Sequence, residues 1–269
     1  MPVTTADRVR QLVVTLSLIG CLVGSTIGVG AFGGTPISEA AGGALSADAT
    51  ELAPASGAFS IWTVIYIGLA GYVVFQWLPA AAPDPRQRRL GYPVAASMLL
   101  NAAWILVVQA GVLWLSVLVI AVLLAVLATI VVVLTRSRRR GWLDLVLVDG
   151  TLGLYLGWVC VATAANVAAA LAAAGFEGAG LSADLWAILV LVAVALVGVA
   201  LAFYTRGRLA VAASIVWGLT WIGIARTGGD PYSVPTAVAA WAAAAVVLVA
   251  TVALRLWAVR SARDSAAVR

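Results

Sequence analysis

The stretch Tyr155-Leu156-Gly157-Trp158-Val159-Cys160-Val161-Ala162-Thr163-Ala164-Ala165-Asn166 decides the fold class. It lies inside an apolar run from Leu143 to Leu171, long enough to cross a bilayer as one helix. Tyr155, Trp158, Ala162 and Asn166 follow one another at steps of three and four, which puts them on one helical face. A ring, a small side chain and an amide therefore share a stripe at membrane depth. An amide in hydrocarbon has no water to bond, so it needs another helix or a ligand.

Working outward, seven more stretches of the same kind appear. The eight fall near residues 10–31, 58–79, 92–110, 113–135, 145–171, 184–204, 209–225 and 234–257. Each approaches the roughly 20 apolar residues that a helical span requires. The short alternating segments of a β-barrel are absent from the sequence. Hydrophobic residues make up 64% of the chain and charged ones 10%, which excludes an ordinary soluble domain. The fold class is all-α, a polytopic helical membrane protein with eight transmembrane helices.

Orientation follows from the arginines, since there is neither lysine nor histidine. Eight spans place every arginine except Arg226 on one side, in the segments around Arg8, Arg86, Arg136–Arg140, Arg206 and Arg255–Arg269. Glu39, Asp48, Glu51, Glu177, Asp184 and Asp230 fall on the other. The positive-inside rule then predicts that both termini are cytoplasmic. The net charge of +5 is thus a topology signal rather than a nucleic-acid footprint. Without histidine, a His-ligated haem or zinc site is excluded, and Cys21 and Cys160, both inside spans, read as packing residues. Heavy use of Ala, Val, Gly and Arg suggests a GC-rich bacterial genome, hence a bacterial cytoplasmic (inner) membrane.

Further motifs gather at the same depth. The second span carries Trp62 and Tyr66 at i and i+4, and the third carries Asn101 and Trp104 at i and i+3. Both pairs fall in the outer half with Trp158 and Asn166, as do Trp217 and Trp221 of the seventh span. The loop 33–57, broken by Gly33, Gly34, Pro36, Gly42, Gly43, Pro54 and Gly57, covers that side as a lid or as a plain connector. Two readings stay open: aromatic walls with two amides form a pocket for a flat amphipathic ligand, or the tryptophans are interfacial belts and the amides lock helix to helix. Gly20, Gly24 and Gly28 permit close helix packing, within the chain or at a homodimer seam. The fourth span is nearly featureless after Trp114 and is expected to face lipid. Asp149 lies half a turn from Trp158 and either pairs with an arginine or faces spans six to eight. No internal repeat is visible.

These motifs resemble the TspO/MBR family, the tryptophan-rich sensory proteins related to the mitochondrial translocator (peripheral benzodiazepine receptor) protein. The second-helix Trp-x-x-x-Tyr is Trp62 and Tyr66, after Pro54; the third-helix Leu-Asn-x-x-Trp is Leu100, Asn101 and Trp104. The fifth-helix pattern is Tyr155, Trp158, Ala162 and Asn166. The chain departs from the family at Leu154, where a proline is common, and at Val107 and Val108, where an aromatic pair is common. The likeness covers roughly residues 10–172, which makes 1–172 a five-helix unit, followed by a three-helix extension, 173–269, of the kind seen in longer bacterial relatives.

The resemblance implies a membrane receptor or sensor for a porphyrin or related tetrapyrrole, held between helices two, three and five in the outer leaflet. Trp62, Tyr66, Trp104, Tyr155 and Trp158 would form the walls, with Ala162 between them. Asn101 and Asn166 would give polar contacts, and Pro36 and Pro54 would shape the lid. No resident cofactor or metal is expected beyond such a ligand. The partners expected are the bilayer and a hydrophobic small molecule. The sequence offers no paired acid and base or activated nucleophile, so an enzyme is not expected. The alternatives are a small-molecule transporter, for which only Asp149 offers an intramembrane charge, or a scaffold acting through helices six to eight.

Overall fold

The computed structural model describes residues 2–30, 35–37 and 39–267. Eight long helices run through them: α1 (Thr5–Gly28), α2 (Ile61–Trp77), α3 (Pro85–Gln109), α4 (Leu113–Arg136), α5 (Thr151–Ala173), α6 (Ala183–Thr205), α7 (Leu209–Gly228) and α8 (Val234–Ala267). All eight are long and apolar enough to cross a bilayer, and no strand occurs among the described residues. A 3-10 turn, Ser56–Ser60, leads into α2, and a π-helical turn, Asp144–Gly150, leads into α5. The helix starts are set locally. Thr4 and Asp7 form a reciprocal capping box on α1, and Asp84 caps α3 ahead of Pro85.

Five helices close a ring. α1 lies along α3, α3 along α4 and α4 along α5, while α2 fills the gap between α1 and α5. The remaining three form a layer on its flank: α7 packs on α5, and α8 on both α6 and α7. The α1 glycine stripe is filled from within the chain. A Cβ at Gly24 would lie 2.8 Å from the Ala102 Cβ, and one at Gly28 would strike the Ile105 side chain at 2.5 Å. The intramolecular reading of that stripe is therefore the right one, and a homodimer would need another surface.

The expectation that the fourth span faces lipid holds on one side, where Trp114, Leu115, Leu118 and Val122 are exposed, and needs correction on the other. Ser116, Ile120, Leu123, Leu127, Ile130, Val131 and Leu134 of α4 are buried, a stripe at three- and four-residue steps that packs against α3 and α5. An all-apolar span hides such a stripe, because its lipid-facing and protein-facing sides use the same residue types.

The two ends of the bundle are held differently. At the arginine-rich (basic) end, Arg86 donates to Asp149 at 2.6 Å and pairs with Asp144 at 3.1 Å. Arg208, at the start of α7, also pairs with Asp149 and donates to the Leu134 carbonyl at 2.7 Å. Both options for Asp149 thus hold together: it pairs with an arginine, and one of its two partners comes from the three-helix layer. The π turn matters here, since its i→i+5 bonding brings Asp144 and Asp149 to the same arginine. Arg10, buried in α1, donates to the Ala82 carbonyl at 2.8 Å, and Arg88 pairs with Asp7 at 2.7 Å.

At the opposite (acidic) end, the long loop is clamped onto α7. Arg226, fully buried, donates to the carbonyls of Ala47 at 2.6 Å and Pro231 at 3.0 Å. The Trp217 indole donates to the Ala58 carbonyl at 2.9 Å, and the Ala55 amide to the Trp221 carbonyl at 3.2 Å. Gln109 ties the loop's beginning to the end of α3 through the Gly28 carbonyl and, at 2.9 Å, the Thr35 carbonyl. Gly33 and Gly34 lie outside the described residues. Pro36 is exposed and accepts turn bonds from Glu39 and Ala40, while Pro54 is half-buried just ahead of the 3-10 turn.

Candidate functional site

The eight residues singled out on α2, α3 and α5 meet at the acidic end of the ring and divide into a ring cluster and two polar latches. Trp62 and Tyr66 lie one turn apart on α2, so their rings stack, with centroids 5.3 Å apart and planes at 21°. The Trp62 ring also meets Tyr155 edge-on at 5.7 Å and Trp158 at 6.3 Å. Phe59, in the 3-10 turn, adds an edge contact to Trp158 at 5.9 Å. Offset and edge-on contacts of this kind are the favoured ones for aromatic pairs. Tyr155 and Trp158 are buried, whereas Trp62 and Tyr66 are half-buried.

The first latch joins α1, α2 and α3. The Asn101 amide donates to the Tyr66 hydroxyl at 2.9 Å and points at the Cys21 sulfur at 3.7 Å. The Ser25 hydroxyl meets the same Tyr66 oxygen at 2.8 Å. The second latch joins α3, α4 and α5. The Trp104 indole donates to the Asn166 carbonyl oxygen at 2.7 Å, and the Asn166 amide nitrogen donates to Ser116 at 3.0 Å. Asn166 is 1% exposed. Both amides thus bond helix to helix, the second of the two readings open from sequence. Tyr155 donates to the Ser97 carbonyl at 3.0 Å, and Ala162 packs half-buried against the core.

One polar group in the cluster is left over. The Trp158 indole nitrogen is buried among these rings and has no acceptor. Trp217 and Trp221, expected at the same depth, touch each other and hold the loop instead of joining the cluster.

Ser116 and Ser25 complete the latches and were not singled out from sequence. A hydroxyl at the start of an apolar span looks like a cap or an interfacial residue, and only the fold brings it to an amide. A larger feature was also missed. A cavity of about 700 Å³ lies between α4, α5 and α6, on the opposite side of α5 from the ring cluster.

The sequence model of the TSPO-like protein family matches residues 11–253. The chain belongs to that family. The match runs from α1 into α8, so the TSPO-like sequence pattern extends through the three-helix layer as well as the ring. Searches of curated proteins and of solved structures return no match. Family and fold together make this TSPO-like chain an integral membrane protein.

Proposed function

We propose that the protein is a membrane receptor for a flat hydrophobic ring ligand of the porphyrin or tetrapyrrole class, bound at the ring cluster of α2, α3 and α5. The observation that carries this reading is Trp158. Its indole is 2% exposed, meets Phe59 and Trp62 edge-on, and keeps an N–H without an acceptor. Leaving a buried donor unpaired costs about 1–3 kcal/mol. A planar ligand with acceptor groups on its edge would relieve that cost while stacking on the neighbouring rings. Trp62 is the ring that must swing to admit it, since it is half-buried and touches both Tyr155 and Trp158.

In this reading Asn101 and Asn166 position the walls, through Tyr66 and Trp104 respectively. The loop segment around Pro54 roofs the site by way of Phe59, which meets Trp158. The arginine distribution supports a bacterial cytoplasmic membrane with both termini in the cytoplasm, which puts the cluster in the outer leaflet. The test is quenching of tryptophan fluorescence by protoporphyrin IX in detergent. Trp158→Phe keeps a ring and removes the N–H, so Kd should rise roughly 5- to 15-fold, the value of one hydrogen bond. Trp62→Ala should weaken binding further. Absence of saturable binding, or unchanged affinity in both variants, would overturn the reading. Porphyrin flux in proteoliposomes would recast the protein as a transporter.

A further inference from the structure

We propose that the cavity between α4, α5 and α6 is a second binding site, for a single-chain amphiphile with an ammonium head at the acidic rim and its apolar tail along the helices. It is independent of the ring cluster. Cys160, Ala164, Val167 and Leu171 of α5 line its floor, about half a turn away from the stripe of Tyr155, Trp158, Ala162 and Asn166. It stays open for two reasons. α6 leans on α8 and barely touches α5, and small side chains such as Ala164, Ala168 and Ala187 face the gap.

Shape and chemistry together specify the occupant. Along α6 the lining runs from Ala183 to Val197, which at 1.5 Å per residue is about 21 Å. That is deeper than one leaflet of a roughly 30 Å hydrocarbon layer, so an extended chain fits it better than a compact ring. The volume of about 700 Å³ lies within the range of small-molecule sites, and the walls are almost wholly apolar.

Charged groups are confined to the rim, where Thr50, Glu51 and Glu177 line the opening; Thr163, on the α5 wall, spends its hydroxyl on the Val159 carbonyl. The Glu51 Oε2 and Thr50 Oγ1 atoms are buried without hydrogen-bond partners. The Arg226 guanidinium is 3.9 Å from that Glu51 oxygen, beyond hydrogen-bond reach. Asp184 and Asp230 also act on Glu51, so its surroundings hold three further acidic groups, Glu177 included, against one guanidinium. Two oxygens without hydrogen bonds in an acidic mouth call for a positively charged donor. An ammonium group offers three N–H bonds and the matching charge.

The test uses hexadecylamine with a diazirine at the far end of its chain, and hexadecanoic acid labelled the same way. The full-length protein is held in phosphatidylcholine nanodiscs. Photolabelling by the amine should map to α5 and α6, saturate, and be competed by unlabelled hexadecylamine but not by hexadecanoate. Glu51→Gln should weaken the amine roughly tenfold, the order of one charge-assisted hydrogen bond. Ala168→Trp on the α5 side, and independently Val190→Trp on the α6 wall, should abolish labelling while the thermal midpoint is kept. Should either tryptophan variant unfold, the amine-to-acid preference of Glu51→Gln decides the matter. Equal labelling by the acid, or undiminished labelling in both tryptophan variants, would overturn the proposal. So would competition by phosphatidylethanolamine that matches the free amine, since that would assign the cavity to bilayer lipid.

Discussion

Replacing Asp149 by asparagine tests how the three-helix layer is fastened to the ring. Asp149 is 4% exposed and shared by two arginines, Arg86 from α3 and Arg208 from α7. An amide at this position would keep the shape and lose the charge, leaving two guanidinium groups against Asp144 alone. Breaking a buried pair from one side costs about 3–5 kcal/mol, because the remaining charge is left uncompensated. Two features pull this case toward the lower end. Arg86 keeps Asp144 at 3.1 Å, and the Arg208 side chain is 17% exposed and still bonds the Leu134 carbonyl. The expected loss is therefore about 3 kcal/mol.

Arg208→Met should cost less, about 1–2 kcal/mol, since Asp149 then retains Arg86. The double variant should fall short of the sum, as expected for two members of one network. Reversible unfolding in mixed micelles, followed by tryptophan fluorescence, measures all three. A loss below about 1 kcal/mol for Asp149→Asn, or strict additivity in the double variant, would refute a buried network that couples α7 to the ring.

Asn166→Leu removes the bonds to the half-buried Trp104 indole and the buried Ser116 hydroxyl and should destabilise by about 1–3 kcal/mol in the same assay, the cost of leaving buried polar groups without partners. Gly157→Ala would drive a Cβ into the Val211 carbonyl of α7, where backbone cannot yield, and should cost about 1–3 kcal/mol. Arg226→Ala should release the loop, read as faster proteolysis between residues 44 and 53 with the helices intact. Burial pushes the Glu51 carboxyl above its ordinary 4.5, outweighing the opposing pull of Arg226. Glu51 therefore takes up a proton more readily in the folded than in the unfolded chain. Glu51's contribution to loop attachment should be full below that ordinary value and fade as pH rises through the raised one. Glu51→Gln should abolish this slope in a protection assay.

What could be read from the sequence divides by physical cause. The spans were legible because hydrocarbon demands long apolar runs, and the shared face of Tyr155, Trp158, Ala162 and Asn166 because helical periodicity is fixed. Meeting of the α2 and α5 rings followed from depth alone. The partners of the amides were not legible, because Ser116 and Ser25 carry no signal until the helices are packed. The buried stripe of α4 was hidden by uniform composition. The cavity beside α5 arises from small side chains and from the lean of α6, neither of which leaves a pattern in a one-dimensional string. Arg226 stood out as the single arginine on the acidic side, yet its carbonyl partners at Ala47 and Pro231 could only be found in three dimensions.

Helix α7 is anchored at both extremities: Arg226, Trp217 and Trp221 grip the covering segment, and Arg208 is riveted to Asp149. A helix is stiff along its axis, so the cover cannot hinge upward like a free flap. It can lift only by snapping those grips or by dragging a rod whose far end is fixed. A ligand of the proposed kind would therefore have to enter sideways, through gaps between helices, rather than down from the aqueous phase above.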